Sequence, residues 1–182
     1  IKKSTSAIQK RRTTQENKRS AEDYSKALGR LAQASNALKS TLDCATELKS
    51  KGVVEHPLML QQMRDELIEY ADNCGRGVFE GTLTLDMVTA FKAKGDTIAA
   101  QMQVVWKDAA AKYAEGTKGY LSMISGLTDD PKHAKELADS ISNTVDGVLS
   151  ISAIKKLVTE VAEAKRITAA FSLSPEIEMF LK

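Results

Sequence analysis

The stretch that decides the fold is residues 21–50, AEDYSKALGRLAQASNALKSTLDCATELKS. Its apolar side chains recur at alternating intervals of three and four residues, and Ser35 is the one interruption. This spacing places them on one face of an amphipathic helix. The positions are Tyr24, Leu28, Leu31, Leu38, Leu42, Ala45 and Leu48. The helix is expected to stop at Gly52, because glycine readily adopts the left-handed conformation that ends helices.

The composition of the whole chain agrees with this pattern. The 182 residues include only three prolines, 5% are aromatic and 42% are hydrophobic. Low aromatic content and rare proline are typical of helical protein, and the apolar fraction is sufficient for a folded core. The sequence therefore predicts an all-α fold, an elongated antiparallel bundle or coiled coil of about three long helices plus a shorter helical hairpin.

Helix start and stop signals divide the rest of the chain. A second helix is expected from Pro57 to about Gly75, and a third from Thr84, as N-cap, to about residue 127. In the third helix, a four-residue shift of the apolar stripe and the two glycines Gly116 and Gly119 predict a kink or break.

Three shorter helices are expected in the last third of the chain. Asp130 and Pro131 cap a fourth helix, and a fifth runs from about Ser152 to Ala170. A sixth begins at Ser174 and is cut short by the chain end. We therefore expect a piece of a longer polypeptide, divided into a basic leader at 1–20 (a helix end or tail), a three-helix bundle at 21–127 and a helical hairpin with the start of a further helix at 128–182.

The apolar runs and the cysteines indicate a compartment. The chain lacks an apolar run of the roughly eighteen residues that a membrane span needs, and a signal-peptide core is also missing. Cys44 and Cys74 are too few for a disulfide framework, and their distances from the intervening turn differ too much for them to pair. We expect two free thiols in a cytoplasmic protein.

Residues 72–81, DNCGRGVFEG, crowd glycine and arginine together as phosphate-binding loops do. Such loops follow a strand, whereas the segment before this one is helical, and the Gly-Lys-Ser/Thr signature is missing. We interpret the stretch as a corner between two helices. Anion binding by Arg76 at the next helix N-terminus is the alternative.

The residue types needed for catalysis or metal binding do not converge in this sequence. His56 and His133 are far apart, and neither lies in a Cys-x-x-Cys, Glu-x-x-His or Gly-x-Ser-x-Gly context. His133 and Glu136 share one helix face, which is more typical of exposed charge than of a ligand pair. We expect no enzyme activity, cofactor, metal or small-molecule substrate.

The first nineteen residues hold seven basic side chains and one acidic one. Five of them are candidate phosphate contacts: Lys10, Arg11, Arg12, Lys18 and Arg19. Aromatic side chains that would stack on bases are missing from this segment. A solvated tail, a nucleic-acid contact and an acidic lipid contact therefore stay open for it.

These observations favour a helical scaffold or protein-interaction module within a larger cytoplasmic protein or assembly. The candidate partner contacts are Leu28, Leu31, Leu38, Leu42, Trp106, Tyr113 and Tyr120, with self-association through the Leu28 to Leu48 stripe as one possibility. Trp106 is also suited to the core. Two alternatives are a nucleic-acid-associated module and a membrane-active protein that inserts residues 120–127, although a membrane partner is the less expected of the two.

Overall fold

The structure is a computed structural model that describes residues 2–55 and 58–172. Over these ranges the chain is helical and contains no strand. The helices are α1 (Lys2–Ser50), α2 (Leu58–Glu80), α3 (Leu85–Ile124), α4 (Pro131–Asp146) and α5 (Ile151–Ser172), with a 3-10 turn at Ser125–Leu127. The predicted all-α helical bundle is confirmed. The predicted helix starts at Pro57 and Ser174 lie outside the described residues.

The helices form two compact units. The first contains the described residues of 1–40 and 58–99, and the second contains those of 41–57 and 100–182. Helices α1 and α3 each contribute to both units. The three-part division inferred from the sequence stays a prediction, although residues 2–20 belong to the long helix α1.

In the first unit, α2 and α3 run antiparallel. Glu66 pairs with Lys94 at 2.8 Å. About two turns further along α2, the Cys74 thiol lies 3.6 Å from the carbonyl oxygen of Met87. The Tyr24 hydroxyl of α1 donates to the carbonyl oxygen of Val78 at 3.2 Å. The buried apolar side chains of this unit are Ala27, Ala34, Leu67, Cys74, Leu83, Val88, Phe91 and Ile98.

In the second unit, α4 and α5 form the predicted helical hairpin. Ser140 of α4 donates to Glu160 of α5 at 2.7 Å, and the apolar faces of both helices are buried between them. The largest fully buried side chains of this unit are Trp106, Leu48, Leu121, Ile141, Leu149, Ile154, Leu157 and Val161. Burial of these side chains supplies the main favourable contribution to the folding free energy of the unit.

Helices α1 and α2 both end in a Schellman motif. Gly52 follows α1 with φ 72° and Gly81 follows α2 with φ 69°. In α1 the N–H of Val53 donates to the carbonyl oxygen of Leu48 at 2.9 Å, which satisfies one of the last free carbonyls of the helix. The predicted stop at Gly52 is confirmed.

The predicted end of α2 at Gly75 is wrong. Gly75 lies inside the helix, and the left-handed residue that ends it is Gly81. A helical glycine costs only about 1 kcal/mol relative to alanine, and the next turn of α2 packs against Leu83, just before α3, and against Met87 of α3. There, a Cβ on Gly77 would lie 3.0 Å from the Cα of Leu83, so the two backbones are in close contact. Residues 72–80 are therefore helix, and they are not an interhelical corner.

Of the predicted kink or break in α3, the kink stays a prediction and the break is wrong, since the helix runs unbroken from Leu85 to Ile124. Its buried positions then step by four residues, through Ile98, Met102, Trp106, Ala110 and Ala114. Each step of four advances about 40° around the helix. The buried line thus winds gradually around α3, and the apolar residues Val105, Ala109 and Tyr113 beside it are only half-buried.

The predicted helix starts within the described residues are well placed. The Thr84 hydroxyl accepts a hydrogen bond from the N–H of Met87 at 3.3 Å, and the Asp130 carboxylate accepts one from the N–H of His133 at 3.1 Å. Helix α5 begins one residue before the expected Ser152, because the Ser150 hydroxyl accepts from the N–H of Ala153 at 3.2 Å. Each cap satisfies an N–H group that the first turn leaves free.

Candidate protein-interaction surface

The leucines predicted as partner contacts flank the buried side of α1. Leu28 is 36% exposed and Leu42 is 42% exposed, whereas Leu31 and Leu38 are half-buried. The small side chains beside them, such as Ala27, form the buried contacts instead. Leu28 and Leu42 thus retain accessible apolar surface.

The three predicted aromatic contacts are less accessible. Trp106 is 2% exposed and belongs to the core of the second unit. Tyr120 and Tyr113 are half-buried, and the ammonium group of Lys165 lies 5.6 Å from the centre of the Tyr113 ring. This cation–π contact occupies part of the ring face.

A surface that the sequence analysis missed lies on α2. Ile68, Asp72, Arg76 and Phe79 are exposed and follow one another at spacings of four, four and three residues, and the exposed Gly75 lies directly before Arg76. They lie on the side of the helix opposite its buried residues. We refer to these five residues as the α2 outer face. Its most unusual member is Phe79, whose side chain is 93% exposed.

The α2 outer face contains a shallow depression of about 440 Å³. It is lined by Ala71, Asp72, Gly75, Arg76 and Phe79. The guanidinium group of Arg76 donates to the side-chain oxygen of Asn73 at 3.0 Å, which holds it along the helix surface. The depression therefore combines a large apolar side chain, two small residues and one charge of each sign.

The sequence contains a signal for this face. Ile68, at 45% exposed, and Phe79 both violate the polar pattern expected on the solvent side of an amphipathic helix. A helix that ends at Gly75, as the glycines predict, places Phe79 in a turn and hides this signal. Once the helix extends to Glu80, the two side chains fall on one face.

The candidate phosphate contacts are all exposed on α1. In a continuous helix, Arg11 and Lys18 lie above one another, and Arg12 and Arg19 form a second row about 100° away. Lys10 lies on another side. The cations therefore surround a large part of the helix circumference and do not form a single basic face.

A charged cluster links α4 to α5 in the second unit. Arg166 donates to both carboxylate oxygens of Glu163, at 2.7 and 2.8 Å, and His133 of α4 lies 3.6 Å from Glu163. The hydrogen bonds from Arg166, together with the positive charges, lower the pKa of Glu163 to about 2. His133 thus faces Glu163 rather than serving with Glu136 as a ligand pair.

A second acid of α5, Glu160, is only 12% exposed. One carboxylate oxygen accepts from Ser140 and lies 3.6 Å from the ammonium group of Lys156. The other carboxylate oxygen is buried without a hydrogen-bond partner. A depression of about 390 Å³ lies beside this region and includes Lys156 and Ser152 in its lining.

The cysteines are buried and reduced. Cys44 is 6% exposed and Cys74 is 2% exposed, and neither forms a disulfide. Burial raises the pKa of both thiols, which lowers the thiolate fraction. Within residues 2–55 and 58–172, His, Cys, Asp and Glu side chains do not assemble into a group that could hold a metal ion. His56 lies outside those ranges.

The segment expected to insert into a membrane, residues 120–127, is partly packed. Leu121 and Ile124 are buried at 0% and 4% exposure, whereas Met123 and Leu127 are more than 70% exposed, at 73% and 72%. Across the described part of the chain, no helix is both long enough and apolar enough to cross a membrane. Comparison of the chain with known protein families, curated proteins and solved structures found no match.

Proposed function

We propose that this chain is a helical scaffold or protein-interaction module, that it belongs to a larger cytoplasmic protein or assembly, and that it acts by contact rather than by catalysis. The observation that supports this most directly is Phe79, 93% exposed on the α2 outer face with Ile68 on the same side. The two buried thiols suit a reducing compartment.

An isolated exposed apolar side chain is ordinary on protein surfaces. The α2 outer face differs because Phe79 lines a depression together with Asp72 and Arg76, and Ile68 lies one turn before Asp72 on the same face. Covering a phenylalanine side chain is worth roughly 1.5–3 kcal/mol. The charges beside it would select among partners, because a charge left unpaired in an interface is unfavourable.

An affinity experiment tests this function. The tagged chain is immobilised, and the proteins that bind from an extract of cells that naturally express it are quantified together with untagged copies of the chain itself. We expect Phe79→Ser to lose the specifically bound proteins. Val104→Ser is the matched control, because Val104 is a 71% exposed apolar residue of α3. Equal binding by the original chain and Phe79→Ser would contradict the role of this face.

The second candidate function is association with nucleic acid. It is favoured by the observation that the five basic side chains project from several sides of one exposed helix. A basic helix lying in the major groove of DNA is flanked by phosphates on both sides, so cations around the helix can contact either strand. Affinity for duplex DNA should then fall steeply with salt. Binding that is unchanged when Lys10, Arg11 and Arg12 are replaced by glutamate would eliminate this candidate.

A further inference from the structure

We propose that the partner of the α2 outer face is the same face of a second copy of the chain, packed antiparallel about a two-fold axis that crosses the interface at the height of residues 73 and 74 along α2. This inference rests on the proposed function and names the partner. It depends on three features of the face: its paired apolar ends, its paired charges and its small central residues.

The first feature is the placement of the apolar side chains. Ile68 and Phe79 lie equally far from a point midway between residues 73 and 74. In an antiparallel pair centred there, Ile68 of one copy lies opposite Phe79 of the other, and the contact occurs twice. A two-fold interface requires this reciprocity, since the same surface must fit itself.

The second feature is charge complementarity about the same point. Asp72 and Arg76 are placed symmetrically about residue 74. The centres of the apolar and charged pairs therefore differ by half a residue, or about 0.75 Å along a helix. In the antiparallel pair the carboxylate of Asp72 in each copy faces the guanidinium of Arg76 in the other, so a single alignment satisfies both kinds of contact.

The third feature is Gly75. Glycine in a helix interior costs about 1 kcal/mol relative to alanine. A Cβ at Gly75 would meet nothing within 4 Å, whereas one at Gly77 would lie 3.0 Å from the Cα of Leu83. Contacts inside the chain therefore explain why residue 77 is glycine, but they give no reason for a glycine at position 75. A second α2 approaching closely over Gly75 and Ala71 would explain it.

The size of the face predicts the strength of the dimer. From Ile68 to Phe79 the helix rises only about 17 Å. Two such faces would bury much less than the roughly 800 Å² per partner of a standard stable interface. We expect a weak dimer, in fast exchange with monomer. Additional contacts within a larger assembly would strengthen it by raising the effective concentration.

Charge reversal tests the pairing. Asp72→Arg places the introduced arginine of each copy opposite Arg76 of the other, and Arg76→Asp places the introduced aspartate of each copy opposite Asp72 of the other. We expect each variant alone to dimerise at least tenfold more weakly than the original chain, measured by sedimentation equilibrium between about 10 μM and about 1 mM. An equimolar mixture of the two variants should recover association as a heterodimer, because each Arg-bearing face then meets an Asp-bearing face.

Two controls keep the result interpretable. Circular dichroism confirms that each variant is as helical as the original chain, which is expected because both positions are exposed. Val104→Ser should dimerise like the original chain. A chain that stays monomeric at about 1 mM overturns the inference, as does a mixture that associates no better than either variant. Monomeric behaviour combined with Phe79-dependent capture of a different protein would overturn the dimer while leaving the proposed function intact.

Discussion

Gln103 of α3 pairs with both backbone polar groups of Leu149, in the connection between α4 and α5. The Gln103 side-chain amide donates to the carbonyl oxygen of Leu149 at 3.0 Å, and the N–H of Leu149 donates to the Gln103 carbonyl oxygen at 3.1 Å. Leu149 is 1% exposed, so its backbone groups have little access to water. The Gln103 amide thus makes the two hydrogen bonds that water would otherwise make to the Leu149 backbone. It also joins the α4–α5 hairpin to α3.

Gln103→Ala should lower the free energy of unfolding by about 1–3 kcal/mol, because it leaves the Leu149 N–H and carbonyl without partners. Urea unfolding followed by circular dichroism measures the change. Gln101→Ala is the matched control, since Gln101 is exposed on the same helix and should change the stability little. Equal effects of the two substitutions would show that the paired hydrogen bonds contribute nothing specific.

The two glycines of α2 should respond in opposite directions to alanine. Gly75→Ala should raise the free energy of unfolding by up to about 1 kcal/mol, because a Cβ there meets open space in the isolated chain. Gly77→Ala should lower it, because its Cβ would lie 3.0 Å from both the Leu83 Cα and the Met87 methyl carbon. Thermal unfolding of dilute protein compares them. A destabilising Gly75→Ala would contradict the account of Gly75.

The same Gly75→Ala chain should dimerise more weakly at high concentration, although its monomer is more stable. A Cβ over the centre of the α2 outer face would push two helices apart. Sedimentation equilibrium of Gly75→Ala against the original chain measures this. Unchanged dimerisation would show that the helices do not approach over Gly75.

Acid should lower the stability of the folded chain through Glu163 of α5. Its pKa in the folded chain is about 2, below its ordinary value of 4.5, because Arg166 donates hydrogen bonds to the carboxylate. A lowered pKa contributes stability above the ordinary value, and that contribution is lost as the pH falls from about 4.5 towards 2. Glu163→Gln should therefore lose less stability over this range than the original chain. The urea concentration at the midpoint of unfolding is measured for both chains across that range. If it falls by the same amount in both, Glu163 is not the source of the acid sensitivity.

The two thiols should react slowly in the folded chain. Cys44 and Cys74 are buried, and burial raises the pKa of each. We expect alkylation by iodoacetamide to be at least roughly tenfold slower in buffer than in urea, because the reagent must wait for local opening. Mass spectrometry resolves the two sites. A thiol modified at the same rate in both conditions would have to be exposed.

The sequence predicted the helices well wherever a local signal decided the boundary. Gly52, Thr84 and Asp130 act through their own backbone conformation or side chain, so neighbouring residues suffice to identify them. The errors occurred where packing overrode propensity. Gly75, Gly116 and Gly119 each weaken a helix locally, yet α2 and α3 continue through them, with the buried side chains of Cys74, Ala114 and Leu121 within one turn of the glycines.

The candidate surface was less predictable for the same reason. The apolar spacing located α1 correctly, and Ala45 and Leu48 of its stripe are buried, but at Leu28 the buried face is one residue off, since Ala27 is buried and Leu28 is partly exposed. A shift of one residue rotates the face by about 100°. Periodicity alone does not define that rotation, because the packing partner of each turn comes from elsewhere in the chain.

Photo-cross-linking from position 79 tests the central claim most directly. A photoreactive phenylalanine analogue replaces Phe79 in the full-length protein, and the cells are irradiated. The claim that the α2 outer face is an interaction surface predicts a cross-linked species containing a second polypeptide, which is another copy of this chain if the dimer forms. The same analogue at the exposed position 104 should give far less product. If the chain with the analogue at position 79 gives no cross-linked product after irradiation, the claim is contradicted.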